Sequence, residues 1–191
     1  MKPQWVFRLG RCLRDKRGVA AVEFALLAPF LTLLALGAFE VPRAILIYQK
    51  VGRATTTVGD LVSQQAMGIT ESQLSDLFLA ASETMQPFKL DSTTGAVVVS
   101  SVTRPSSSAA PTIAWQRTDG NSTVYVSHIG KQGDVPVLPQ GFTVAVGDNV
   151  IICETIYDYK PVFGSVIYSG MQYYDIAYFR PRADTLDTIS P

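Results

Sequence analysis

A single carboxylate, Glu23, stands in an apolar run from Val19 to Phe39 that carries no other charge. Lys16, Arg17 and Gly18 come directly before it. Each of these residue types has a chemical use. Glycine has no side chain to keep a protease from its carbonyl. Basic residues hold the preceding segment at the cytosolic face of a membrane. A carboxylate near the start of an apolar run costs up to ~2.5–3.5 kcal/mol if unpaired at the bilayer centre and less near the interface, so it calls for a partner. If the chain is cut after Gly18, Val19 gains an amino group with an unperturbed pKa of about 8. That cation can pair with Glu23 of a neighbouring subunit.

Other chemistry finds little material. Metal sites need His, Cys or carboxylates clustered at ligand spacing, and the chain has one histidine, His128, and two distant cysteines, Cys12 and Cys153. A Ser-His-Asp triad would have to use His128, and no Gly-x-Ser-x-Gly elbow is present. Phosphate-binding glycine loops are absent. Glu154 and Asp158, four apart on one face of a strand, would lie about 13 Å apart, too wide even for an inverting carboxylate pair. The sequence implies no enzyme, no cofactor and no metal. His128 reads as an exposed or half-buried strand residue, Cys153 as a small buried hydrophobe. With Cys12 in the basic head, no disulfide is expected.

The elements that must position Glu23 follow from the pattern. As a helix, Val19 to Phe39 spans roughly 31 Å at about 1.5 Å per residue, close to the ~30 Å hydrocarbon core of a bilayer. Pro29 lies inside it, a kink that membrane helices tolerate. Residues 1–18 hold six basic groups against one acidic group, and the remainder holds 10 basic and 15 acidic. The basic head precedes the span, so the N-terminus is expected in the cytoplasm. An acidic body argues against nucleic-acid binding. Ala44 to Gln65 continues as helix, bent near Pro42, with an apolar face of Ile45, Val51, Ala54, Val58 and Leu61. A second helix is expected at Glu71 to Met85. Thr70 and Gln73 have capping-box spacing, Leu74, Leu77, Phe78, Ala81 and Met85 form its stripe, and Pro87 ends it.

Strands are expected beyond. Ala96 to Arg104 is the first, followed by a Pro/Ser-rich loop. Ile113–Thr118 and Thr123–His128 flank Asp119-Gly120-Asn121-Ser122, a hairpin signal. Asn149 to Tyr159 and Met171 to Phe179 complete the set. The fold class is α+β: a long N-terminal transmembrane helix, then a small head with one further helix and an antiparallel sheet of four or five strands.

The string Arg17-Gly18-Val19-Ala20-Ala21-Val22-Glu23-Phe24 resembles prepilin signals, with a basic leader, Gly at the cut, Glu at the fifth mature position and then an aromatic residue. With the run that follows, it resembles the TadE-like pseudopilins of the tight-adherence (Flp-type) pilus system over about residues 14 to 55. Glu154 to Phe163 and Arg180-Pro181-Arg182 are similar to that family's closing strand and tail. Pro42 and the lack of a cysteine pair in the outer domain depart from its usual pattern. The resemblance implies processing by a prepilin peptidase between Gly18 and Val19 and an assembly role for Glu23 and Phe24. It also implies a bacterial inner-membrane location with the head periplasmic, and pilin-like subunits and pilus machinery as partners.

On this reading residues 1–18 are a leader, 19–65 the transmembrane helix and its continuation, and 66–191 an α+β head. Two rivals remain. A secretory signal peptide would use Ala35-Leu36-Gly37 as its cleavage site, but Glu23 sits badly inside one. A membrane-anchored extracytoplasmic binding module would use the aromatic C-terminal strands to capture a ligand.

Overall fold

A computed structural model describes residues 18–65, 68–163, 170–183 and 185–190. The basic leader up to Arg17, with Cys12, lies outside them. The chain divides into two compact units, Met1–Pro42 and Arg43–Pro191.

Helix α1, Val19–Ser63, is assigned without interruption through Pro29 and Pro42. Its character changes along its length. In the first unit it is apolar apart from Glu23 and Glu40 and mostly exposed, and Thr32 satisfies its hydroxyl on the Ala28 carbonyl at 2.8 Å. From Ile47 onward it is amphipathic, burying Ile47, Val51, Ala54, Val58 and Val62 at spacings of three and four. Ile45 is exposed and Leu61 only half-buried, so the buried face is centred one step round from the expected one.

Strand β1, Ile69–Thr70, leads into helix α2, Glu71–Met85. The expected capping box is present. Gln73 N–H donates to the Thr70 hydroxyl at 3.2 Å, and Thr70 N–H donates to the Gln73 side chain at 2.9 Å. Leu74, Phe78, Ala81 and Met85 are buried.

Strands β2 (Gly95–Thr103), β3 (Thr112–Gly120), β4 (Asn149–Tyr159) and β5 (Met171–Phe179) form one antiparallel sheet in the order β3-β2-β4-β5. Strand β6, Ile189–Ser190, pairs in parallel with β1. Strand alternation sends odd-numbered residues of β4 one way and even-numbered ones the other. Ile151, Cys153, Tyr157 and Tyr159 join the core built with the helices. Val150 and Ile152 pack on the opposite face with Ile129 and Val144. Close helix–sheet approach depends on Gly59, where an added Cβ would fall 2.4 Å from the Phe179 ring.

The expected hairpin partner at Thr123–His128 does not form. β3 pairs with β2 instead, across the Pro/Ser-rich loop. The Asn121 side chain accepts from Thr123 N–H at 3.1 Å and from Val124 N–H at 3.3 Å, closing a local turn in place of a ladder. Residues 121–148 then cross the even face of the sheet without regular structure. A connection this long is unusual in a compact domain, and burial of Tyr125, Ile129 and Val144 holds it down.

The C-terminal tail is strapped to the sheet. The Leu186 carbonyl accepts from Ser101 Oγ at 2.6 Å and Trp115 Nε1 at 2.8 Å, while Asn149 donates to Ser101 Oγ at 2.7 Å.

Candidate functional site: an exposed apolar helical segment with one carboxylate

Gly18 is the first described residue and is exposed, and nothing lies within 4 Å of where its Cβ would be. Val19 opens α1. Glu23 follows four residues later, which puts the two on one helical face. Both are exposed, as is Phe24 at 65%.

The surroundings of Glu23 are apolar and uncovered. Phe30 is 72% exposed, and Val22, Leu26, Leu27, Leu31 and Leu34 share that condition. Soluble monomers rarely expose contiguous apolar surface on this scale. A core helix would be mostly buried, whereas none of the most apolar stretch of α1 is. The helix is long and apolar enough to cross a membrane.

A second carboxylate, Glu154, behaves differently. It is 0% exposed, in the middle of β4. The His128 backbone N–H and the Tyr174 hydroxyl each donate to Oε1 at 2.8 Å, and Ser127 Oγ donates to Oε2. Burial, reinforced by the Glu154 charge, pushes the Tyr174 phenol well above its ordinary range. The His128 ring stacks on Tyr174 with centroids 4.1 Å apart. Ser127, His128 and a carboxylate are thus together, but the serine hydroxyl donates to the carboxylate itself and His128 contributes its backbone. No serine–histidine relay is built. The arrangement ties the 121–148 segment to the sheet.

Cys153, on the other face, is fully buried, and burial pushes its thiol far above the usual range. Among the described residues no group of three His, Cys, Asp or Glu side chains is placed to hold a metal ion. The sequence carried one signal for the Glu154 node, a charged residue inside the apolar run Val150–Ile156. It carried none for Ser127 or Tyr174 as partners, because these come from the irregular segment and from β5.

No curated protein and no solved structure matches the chain. A family model does, over residues 18–59, from Gly18 through Glu23 to the buried part of α1. Its description is TadE-like protein, and over that N-terminal segment the chain is similar to this family of the tight-adherence pilus system.

Proposed function

We propose that the protein is a pseudopilin, a minor pilin-like component in assembly of a tight-adherence pilus, cut by a prepilin peptidase between Gly18 and Val19. The observation that carries this reading is Glu23, the lone carboxylate in the Val19–Phe39 run of α1, whose apolar surface is largely uncovered among the described residues. Two functions follow from that placement. The apolar surface is stored in the inner membrane or packed against like helices. Glu23, with Phe24 beside it, supplies the contact that registers one subunit on the next, by accepting the new Val19 amine of its neighbour.

Gly18 fits the same reading. The fold does not require a glycine there, since a side chain would meet nothing within 4 Å. A requirement imposed from outside, by a peptidase that must approach the carbonyl, accounts for it. Residues 1–18 are then the leader, 19–65 the helix and its continuation, and 66–191 the head on the periplasmic side. No nucleic acid, cofactor or catalytic step enters this function.

N-terminal sequencing of protein extracted from membranes tests the reading. The mature chain should begin at Val19. A start at Met1, or near Ala38 as a secretory signal would give, overturns it. The alternative, a membrane-anchored binding module, rests on the exposed aromatic and apolar side chains of the head, such as Phe163 and Met171. It would leave Gly18 uncut.

A further inference from the structure

We infer that one end of the Arg43–Pro191 unit, around Arg43, Tyr48, Lys160 and Met171, lies in the lipid headgroup layer. This rests on the reading of α1 as a membrane span and adds a second, peripheral contact with the same bilayer.

The end is defined by contacts within the Arg43–Pro191 unit. Arg43 donates to the Lys160 carbonyl at 3.4 Å, and its guanidinium lies 5.7 Å from the Tyr159 ring centroid and 5.6 Å from that of Phe88. Tyr159 pairs across the sheet with Met171. The Tyr48 and Tyr173 rings meet edge to face at 5.8 Å. Arg43, the last residues of β4 and the first of β5 therefore share one end. Gly52 and Gly59 run away from it along β5, beside Asp175 and Phe179.

Its surface has the chemistry of a membrane interface. Met171 is 55% exposed, and Tyr48, Val162 and Phe163 are exposed as well. Arg43 and Lys160 place cations among them, with alkyl stems that can lie along apolar surface while their charges reach headgroups. The nearby carboxylate of Asp158 is engaged by the Tyr125 hydroxyl and the Gln172 amide, both at 2.9 Å.

The choice of lipid over another occupant comes from the chain itself. Arg43 follows the apolar run that ends at Phe39 by four residues. At about 1.5 Å per helical residue, Arg43 itself lies roughly 6 Å along α1 from the last residue of that run. The thickness of the headgroup layer is comparable. An apolar and cationic surface held at that depth meets lipid before it meets any other partner.

The test uses the full chain with Cys12→Ser, reconstituted in mixed phosphatidylcholine–phosphatidylglycerol vesicles. Single spin labels are placed by Met171→Cys and, as a second site, Phe163→Cys. Cys153 stays unlabelled because it is buried. Val137→Cys, 70% exposed in the irregular segment, is the aqueous reference, and Leu33→Cys is the reference within the span. Collision with oxygen, which partitions into lipid, is compared with collision with a water-soluble nickel chelate. The expected oxygen-to-nickel ratio at residues 171 and 163 is several-fold above that at 137 and below that at 33. A ratio at 171 and 163 equal to that at 137, with 33 in lipid, overturns this inference alone. A water-like ratio at 33 overturns the membrane span as well. Shielding that vanishes as protein is diluted in lipid assigns the surface to a neighbouring copy and likewise overturns it.

Discussion

Two glutamates show how placement decides what one residue type does. Glu23 is exposed in an apolar stretch of α1, where the proposed assembly contact would reach it. Glu23→Ala should therefore spare insertion and cutting but impair assembly, leaving mature-length protein in the inner membrane and few or no pili by electron microscopy. Normal piliation in that strain would remove the main physical support for the assembly role. Gly18→Trp should differ, accumulating uncut precursor on immunoblots. Glu154 is buried and already satisfied by Ser127, His128 and Tyr174. Glu154→Ala would strand three donors, and buried unsatisfied groups cost about 1–3 kcal/mol each. A loss of at least ~2 kcal/mol in denaturant unfolding is expected. Glu154→Gln, which keeps a carbonyl acceptor, should lose less. If the two variants unfold together with wild type, the node does not hold the 121–148 segment down.

At the scale of elements, the two helices are specified in different ways. α2 is fixed locally, by the reciprocal Thr70–Gln73 bonds and the Leu74–Met85 stripe. It is also tied to β3 by Glu71, which accepts from Arg117 Nη2 at 2.6 Å and Nε at 2.8 Å. That pair is largely solvated, so it contributes little. The cap should matter more. Thr70→Ala is expected to lower unfolding stability by about 1 kcal/mol, with Thr70→Ser close to wild type. Equal stability of all three would show that packing of the apolar stripe alone sets where α2 begins. The second half of α1 is specified by tertiary contact instead. Its buried face fits only because Gly59 lets the helix approach Phe179 and Cys153.

For the whole molecule, the sheet is enclosed on both faces, by helices on one and by the 121–148 segment on the other, and tyrosines populate both sides. Burial, then the hydrogen bond to Asp158, raises the Tyr125 phenol to about 12. Burial likewise raises Tyr157 and Tyr178. A group whose folded pKa lies above its unfolded value of about 10 contributes stability that is complete below about 10. That contribution is lost as pH rises toward the folded value. Unfolding midpoints should hold level through neutral pH and fall between about 10 and 12. Tyr125→Phe should be less stable at neutral pH, lacking the bond to Asp158, but decline less steeply in that window. An identical alkaline slope in the variant would place the sensitivity elsewhere.

Local and periodic features were legible in the sequence. The apolar run, the lone Glu23, the capping box, the α2 stripe and the bounds of β4 and β5 all arise from residues near one another in the chain. Short-range sterics, hydrogen bonding and the hydrophobic period are enough to fix them. The resemblance to TadE-like proteins was legible for the same reason, since it resides in one continuous helix. Three features were decided only by tertiary structure. Thr123–His128 has strand composition but no ladder, because Asn121 turns the chain and β3 finds its partner in β2. The buried face of α1 is set by what the sheet presents to it, beginning at Ile47 rather than Ile45. The node joins Glu154 to residues up to 27 positions away in the chain. Whether a carboxylate ends in water, in lipid or among three donors depends on which distant segments fold over it. That burial is a property of the assembled layers and is not written in any local stretch of sequence.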